Sequence, residues 1–261
     1  MIRRRIALSV FFPCLLLLTV APTVSAAPTT TDLEYRILGW INQARVERQL
    51  QPLRADSRVW DLAGARAAVM ASRNILSHTV AGVVGSQMSS RGITWYGWGD
   101  AIAYNNAGRG TYATAELFAQ WKGSQPHWDL LMSPSFNYIG IGESYQTSNG
   151  RTYGDVVLLE GPDRSPPGAA MVSVARSGND VTWRWRGWDT ALQTRTAGVA
   201  TYEVQYRVDS GTFRTVASRT VATRRMGLHR SAGHWYGVRV RAKDGASNVG
   251  AWSSELRIWV P

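Results

Sequence analysis

The sequence predicts an α+β domain followed by an all-β sandwich. In the first half, apolar residues recur at three- and four-residue spacing, which is typical of amphipathic helices. In the second half, apolar and polar residues alternate, which is typical of strands with one buried face. A Pro- and Gly-rich stretch without apolar periodicity separates the halves and predicts a linker. We therefore expect a leader over residues 1–26, an α+β domain over 27–161, a linker over 162–168 and a sandwich over 169–261.

The first residues have the layout of a secretory signal peptide. Three arginines, Arg3 to Arg5, precede an apolar run from Ile6 to Val20, and small residues follow up to Ala27. The alternative is an uncleaved membrane anchor, but the run is interrupted by Pro13 and is shorter than the roughly 20 residues that span a bilayer. We expect cleavage near Ala26 and a secreted, extracellular protein, with association at the cell surface as a further possibility.

Composition limits the partners of the mature chain. Its single cysteine, Cys14, lies in the leader, so each domain must be stabilised by an apolar core rather than by disulfides. Without Arg3 to Arg5, 26 basic and 18 acidic residues remain, a formal charge of +8. This charge favours an anionic cell-wall or surface polymer, a glycan or a lipid headgroup as partner. No long Lys/Arg block follows the leader, and we expect no nucleic acid partner.

The α+β half is predicted to contain three helices and two strands. The first helix is capped at Thr31 or Asp32 and ends before Pro52. The second is capped near Asp56, and its apolar face consists of Val59, Leu62, Ala63, Ala67 and Met70. The third helix covers residues 112–121, and apolar runs at 138–141 and 153–159 predict strands that complete a sheet.

The second half contains three alternating runs. Their apolar members are Val181, Trp183 and Trp185; Tyr202, Val204 and Tyr206; and Tyr236, Val238, Val240 and Ala242. Turn residues such as Asp209-Ser210-Gly211 and Asp244-Gly245 separate runs of this kind. The pattern predicts an antiparallel sandwich.

Four short motifs follow one another in the first half: N-I-L-S-H at 74–78, G-D-A-I at 99–102, S-Q-P-H at 124–127 and I-G-I-G at 139–142. In this order they resemble the bacterial members of the CAP superfamily of cysteine-rich secretory, antigen and pathogenesis-related proteins (SCP-like). The resemblance implies a three-layer α/β/α sandwich. The segment Trp235 to Trp252 resembles the last hairpin of fibronectin type III domains, which implies a fibronectin type III-like second domain.

The CAP resemblance implies a cleft in which His78 and His127 face each other beside an acid, here Asp100. Two neutral imidazoles could ligate a divalent metal such as zinc, although no cofactor is certain. Asp100 stands where the family has Glu, and its shorter side chain moves the carboxylate by roughly 1.5 Å, more than the ~0.2 Å that metal geometry tolerates. Asp100 could act through water, accept a hydrogen bond from an imidazole, or cap a helix or turn that starts at Ala101.

Two tryptophans, Trp98 and Trp128, stand next to candidate site residues and are predicted as cleft walls. Most other aromatic residues nearby are predicted as core. Nucleophilic catalysis has little support, because the mature chain lacks cysteine and a G-x-S-x-G elbow. Ser77 points away from its neighbour His78 in an extended segment, and Ser124 is predicted to cap a turn.

Three functional interpretations stay open. The preferred one is a secreted, non-enzymatic or weakly enzymatic CAP-family protein that binds a wall glycan, a lipid or a divalent metal in the His/Asp cleft. Its fibronectin-like domain would then position it at a surface. The second is a metal-dependent hydrolase of cell-wall polymer or peptide, with His78 and His127 as ligands and Asp100 as base. The third is an adhesion or scaffold protein with a vestigial cleft.

Overall fold

The computed structural model describes residues 30–220 and 224–261. The predicted leader therefore lies outside the described residues. The first unit begins with helix α1 (Thr30–Glu47), the short strand β1 (Arg54–Ala55) and helix α2 (Ser57–Arg73). The remaining elements of this unit follow in chain order: α3 (Val84–Ser90), β2 (Gly97–Asn105), α4 (Thr111–Gly123), α5 (Gln125–Leu131), β3 (Tyr138–Gln146) and β4 (Arg151–Glu160).

The four strands of the first unit form one sheet in the order β1-β3-β4-β2. Strand β4 is central and its residues are almost all buried, whereas β2 is an edge strand that pairs with β4 along its whole length. One face of the sheet packs against α2 and α3, and the other packs against α1, α4 and α5. These three layers agree with the predicted mixed architecture of helices and sheet.

Helix α2 forms where the sequence places its cap and its apolar face. The side chain of Asp56 accepts a hydrogen bond from the backbone N–H of Arg58, which satisfies one of the free donors of the first turn. The helix ends at Asn74, whose φ of 54° is left-handed. The C-cap turns the chain away from the helix axis and starts the loop that carries His78.

The second unit consists of strands alone within the described residues. They are β5 (Gly168–Ser177), β6 (Asp180–Trp188), β7 (Val199–Val208), β8 (Arg214–Thr220), β9 (Arg225–His229), β10 (His234–Asp244) and β11 (Leu256–Val260). They form two antiparallel sheets, β5-β6-β9 and β11-β10-β7-β8. Trp183, Trp185, Tyr202 and Val240 are among the buried residues between the sheets. The predicted alternation of buried and outward side chains is present in β6 and β10.

The loop between β6 and β7 joins the two units. Leu192 is 5% exposed and belongs to an apolar cluster with Val59 and Tyr138 of the first unit. Asn137 donates a hydrogen bond through Nδ2 to the carbonyl oxygen of Thr194, at 3.2 Å. Arg195 contacts Glu160 at 2.8 Å. The units therefore share a packed interface in addition to the linker.

No helix among the described residues has both the length and the apolar composition that a membrane crossing requires.

Candidate functional site

Arg66 lies at the centre of the candidate site. Its position in α2 falls on the buried face of that helix, and its side chain is 1% exposed. Arg66 Nε contacts Asp155 Oδ2 on β4 at 2.6 Å, and Arg66 Nη2 contacts Asp100 Oδ2 on β2 at 2.8 Å. Burial raises the pKa of Asp155 to about 7, and the positive charge of Arg66 opposes that rise. One guanidinium thus holds two carboxylates of neighbouring strands.

His78 is fixed through the same arginine. The His78 Nδ1 atom lies 3.0 Å from Asp100 Oδ2. Arg66 also donates hydrogen bonds to the carbonyl oxygens of His78, at 3.0 Å, and Gly82, at 2.6 Å, so it anchors the backbone of this loop. In the neutral tautomer whose Nδ1–H donates a hydrogen bond to Asp100 Oδ2, Nε2 is left as a free acceptor. The His78 side chain is 53% exposed, so this acceptor is accessible to a ligand.

His127 reaches the same edge of the sheet from α5. Burial lowers its pKa, charge repulsion from His78 lowers it further, and Asp100 opposes both effects. The charges of His78 and Asp100 thus act on His127. His78 and Asp100 are in direct contact, whereas His127 makes no hydrogen bond to either in the described structure. A lowered pKa keeps the His127 imidazole neutral near pH 7.

An open groove of about 530 Å³ runs along the end of β2 beside His127. Its lining is made of apolar and neutral polar side chains, and His127 is its one ionisable imidazole. The lining residues are Leu76, Ile102, Ala103, Tyr104, Asn105, Asn106, Gln120, Ser124 and His127. The volume lies within the range of small-ligand sites.

A family model described as the cysteine-rich secretory protein family, CAP, matches residues 38–158. This range contains all four sequence motifs and the whole groove. Residues 38–158 form a CAP domain. Curated protein sequences give no match to the chain.

Several solved structures are similar to the CAP part of the chain. An outer surface protein of Borrelia burgdorferi is 16% identical with a TM-score of 0.45, and the match covers 53% of this chain and 99% of that one. An extracellular protein containing an SCP domain from Bacillus anthracis is 19% identical with a TM-score of 0.42, covering 52% and 45%. A cysteine-rich secretory protein of Staphylococcus aureus is 17% identical with a TM-score of 0.39, covering 50% and 39%.

The side chains of the CAP domain do not fit a catalytic zinc site with three protein ligands. His78, Asp100 and His127 do not each place a ligand atom within 4.8 Å of the others, and Asp100 Oδ2 is already shared by Arg66 and His78. Two imidazoles are one ligand short of the usual catalytic set. The position of Asp100 matches the predicted acceptor of an imidazole N–H, the arrangement that orients a histidine.

The prediction that Asp100 caps a helix or turn starting at Ala101 is wrong. Both residues lie inside strand β2, where Asp100 pairs with Val157 and Ala101 with Val156. The strand pairs along nine positions, so no helix can begin there. The side chain of Asp100 points to the face of the sheet that carries α2, where it meets Arg66.

Trp98 and Trp128 are not among the residues that line the groove beside His127, and neither are His78 and Asp100. The cleft with tryptophan walls stays a prediction. Trp98 packs against the cluster below α3, where a Cβ on Gly85 would lie 2.5 Å from its Nε1 atom. Trp128 packs edge to face against Phe118, at 6.1 Å between ring centroids, and carries Arg48 over its ring at 5.3 Å. Trp98 thus packs on the side of the sheet that carries α2 and α3, and Trp128 packs on the opposite side.

The serines near the histidines behave differently from each other. Ser77 Oγ lies 3.3 Å from Thr79 Oγ1 rather than against His78. Ser124 stands at the N-cap position of α5, but its side chain makes no capping hydrogen bond. Its hydroxyl therefore remains available to the groove that it lines.

Arg66 and Asp155 are site residues that the sequence interpretation missed. A signal for Arg66 existed, because residue 66 falls on the apolar face defined by Val59, Ala63 and Met70. A charged residue on a buried helix face requires a partner. No local pattern indicates Asp155, which lies in a run of buried residues on β4.

A cluster of three acidic residues lies outside the groove, where the two units meet. Asp163, Asp189 and Asp244 place one carboxylate oxygen each within 4.8 Å of one another, the one such group of three potential metal ligands among the described residues. Asp163 accepts hydrogen bonds from the backbone N–H groups of Ser165 and Ala197. These bonds give it a structural role in closing the linker onto the second unit.

Proposed function

We propose that the CAP domain binds a neutral sugar chain in the groove beside His127, without catalysing its cleavage. The observation that carries this proposal is the lining, which combines amide, hydroxyl and imidazole groups with apolar surface and contains no carboxylate, lysine or arginine. Sugar hydroxyls form hydrogen bonds with such groups, and sugar rings cover apolar surface. The lining residues themselves offer an anionic lipid or polymer no cationic partner, and Arg151, which contacts Asn106 and Tyr104, stands outside the lining.

The free hydrogen-bonding groups of the groove define where a ligand would be held. The side chains of Gln120 and Ser124 make no hydrogen bond within the described structure, and His127 stays neutral. Asn105 is unavailable, because it donates to the carbonyl of Ala113 and accepts from the N–H of Ala107. Gln120, Ser124 and His127 all face the groove and present donors and acceptors together.

Binding without hydrolysis has more support than the hydrolase alternative. Asp100 Oδ2 is already engaged by Arg66, at 2.8 Å, and by His78, at 3.0 Å, and this geometry does not place it as a free general base. The two imidazoles lack a third protein ligand for a metal that would activate water. The scaffold alternative remains for the case in which no ligand enters the groove.

Calorimetric titration of a soluble N-acetylglucosamine tetramer into the protein tests this proposal. We expect saturable binding that weakens at least fivefold in the Gln120→Ala and His127→Ala variants, because each loses a hydrogen bond to the sugar. His229→Ala, at an exposed imidazole of the second unit, is the matched control and should leave the dissociation constant unchanged. Equal affinity in all four proteins would refute the groove as the site.

A zinc titration separates the hydrolase alternative from the proposal. Zinc binding that disappears in the double variant His78→Ala, His127→Ala, together with release of soluble fragments from wall material, would favour the metal-dependent hydrolase. Absence of both results, with retained sugar binding, would favour the proposed non-enzymatic role.

We also infer that the protein is secreted and that its second unit is a fibronectin type III-like sandwich that positions the CAP domain at a surface. The leader pattern of residues 1–26 supports secretion. Two antiparallel sheets of three and four strands around buried Trp185 support the sandwich type. Mass spectrometry of the protein from culture medium should find an N-terminus at or near Ala27; a retained leader would contradict secretion by cleavage.

A further inference from the structure

Beyond the predicted leader, the excess positive charge of the chain lies entirely in its second unit. Residues 27–167 contain 12 basic and 12 acidic residues, whereas residues 168–261 contain 14 basic and 6 acidic residues. An uneven distribution of this kind creates a positive potential over one part of the molecule. An anionic partner would therefore meet the second unit rather than the CAP domain.

The outward side of the sheet β5-β6-β9 carries a group of arginines, which we call the arginine face: Arg184, Arg186 and Arg225, with Trp188 beside them. Along β6, the inward residues Trp183 and Trp185 are buried, so the alternate residues Arg184, Arg186 and Trp188 point outward. Arg225 of β9 pairs directly opposite Arg184 and shares its side of the sheet.

The opposed arginines lack an acidic partner. Arg184, Arg186 and Arg225 form no ion pair, although eight pairs between an arginine and a carboxylate are present among the described residues. The acid on this side of β6 is Asp180, at the far end of the strand, and it contacts His229 at 2.9 Å. Like charges directly opposite on neighbouring strands destabilise a sheet. A bound anion would remove this repulsion.

Trp188 offers a flat surface next to the arginines. Its indole lies over Gly168 of β5, where a Cβ would be 2.3 Å from the ring, so the absence of a side chain there lets the ring lie close to the sheet. Trp188 is still 48% exposed, and the Arg186 guanidinium stands 5.7 Å from its ring centroid. The residues of β5 that pair with Arg184 and Arg186 are Ser173 and Ala170. Both side chains are small, so they do not cover the surface beside the arginines.

We propose that the arginine face binds an acidic polysaccharide. Guanidinium groups recognise carboxylate and phosphate groups by paired hydrogen bonds, and the exposed face of Trp188 can stack on a sugar ring. Arg184, Arg186 and Trp188 follow one another at about 6.6–6.8 Å along the strand, which suits a chain lying parallel to β6. The inference deepens the proposed positioning role of the second unit and rests on it, but is independent of the groove.

The same face is less suited to the other polyanions. Single-stranded nucleic acid is held by several successive stacking platforms, and this face has one exposed indole. Peripheral membrane binding uses a broad apolar face that enters the headgroup layer. The small side chains of Ala170 and Ser173, beside the arginines, do not form such a face.

The test measures binding of the full chain to polygalacturonate by biolayer interferometry at low and moderate salt. The test variants are the double substitution Arg184→Gln, Arg225→Gln and the single substitution Trp188→Ala. The control is Arg36→Gln, Arg91→Gln, which removes the same charge from exposed positions of the CAP domain. We expect the dissociation constant to rise about tenfold in the double variant and at least threefold in Trp188→Ala, and to change less than twofold in the control.

The possible outcomes distinguish a failure of the arginine face as the binding site from a failure of the proposed positioning role of the second unit. Binding that is equally weakened by the control would overturn the arginine face and leave a general charge effect. Binding that is unchanged in the test variants would overturn the face while the positioning role stands. No binding of the wild-type chain to polygalacturonate would overturn this inference. Binding of the same chain to wall material, phosphatidylglycerol vesicles or single-stranded DNA would then show whether the second unit keeps a positioning role through another partner. Circular dichroism and melting temperatures of the variants establish that they are folded.

Discussion

Arg66 is the residue on which the geometry of the groove edge depends. It holds Asp100, Asp155 and the backbone of the His78 loop at once. Removing one partner of a buried ion pair leaves an uncompensated charge and costs about 3–5 kcal/mol. We therefore expect Arg66→Met to lower the free energy of unfolding by that amount in urea titrations. Arg73→Met, on the exposed end of the same helix, should change it by less than ~0.5 kcal/mol, and a similar small loss at Arg66 would contradict the assignment.

Glu143 makes stability depend on pH. Burial raises its pKa to about 7, the hydrogen bond from Thr114 opposes this, and the charge of Glu34 raises it further. A carboxyl group that is raised from its ordinary value of 4.5 binds its proton more tightly in the folded state. Its contribution is therefore greatest below about pH 4.5 and is lost as the pH rises towards 7.

The variant Glu143→Gln should remove this dependence. We expect it to be more stable than the wild type at pH 7.5, by roughly 2–3 kcal/mol, and to differ much less at pH 4.5. Urea unfolding at the two pH values measures the difference. Glu47→Gln, at an exposed acid of α1, serves as control, and a parallel pH response of the Glu143 variant and the wild type would count against the raised pKa.

At the scale of single residues, the sequence predicted which residues belong to the candidate site better than it predicted which of them are in contact. His78, Asp100 and His127 could be selected from their motifs, and the first two are in contact. The roles of Trp98 and Trp128 could not be inferred from their position in the sequence. Trp98 shares a face of β2 with Asp100 but packs against the cluster below α3, and Trp128, although next to His127, packs against Phe118. Asp155 could not be found, because only the packing of α2 on β4 brings it to Arg66.

At the level of elements, the packing of α2 on β3 explains the I-G-I-G motif. A Cβ on Gly140 would lie 2.2 Å from the backbone of Val59, and one on Gly142 would lie 2.3 Å from the backbone of Gly64. Both glycines face α2, and their lack of a side chain lets the helix approach the sheet. The two isoleucines of the motif, Ile139 and Ile141, face the opposite layer and supply apolar contacts there.

The substitution Gly140→Ala tests this close approach. Because the clash is with backbone atoms, no side-chain rotation can relieve it, and we expect a loss of about 3 kcal/mol or more in the free energy of unfolding. Gly39→Ala is the matched control, since nothing lies within 4 Å of a Cβ at that helical position. It should be neutral or stabilise the protein by up to ~1 kcal/mol. Equal effects of the two substitutions would show that α2 can move away from β3.

The elements that sequence patterns predict well are those with a long periodic face. Helices α1 and α2 are such elements, with 18 and 17 residues. Helices α3 and α5 have seven residues each and were not predicted, because two turns carry little periodicity. Strand β2 was also missed, since its glycines and mixed aromatic residues hide the alternation that its pairing with β4 reveals.

On the scale of the whole molecule, the contact between the units is a feature that no sequence pattern indicated. The loop between β6 and β7 reaches residues of the first unit that are more than 50 positions away in the chain, as in the hydrogen bond from Asn137 to Thr194. Leu192 is buried among residues of the first unit, and Arg195 stacks on Tyr96 at 3.9 Å. These contacts should make the two units unfold together.

Differential scanning calorimetry can measure this coupling. We expect one cooperative transition for the wild type, and a lower melting temperature with two resolved transitions for the double variant Leu192→Ala, Arg195→Gln. Truncating a buried leucine typically costs about 2–5 kcal/mol, which here is lost from the interface rather than from either core. The exposed Val172→Ala variant should keep the wild-type profile. Two transitions in the wild type itself would mean that the interface contributes too little to couple the units, and the short linker alone would then set how far the arginine face and the groove can turn relative to each other.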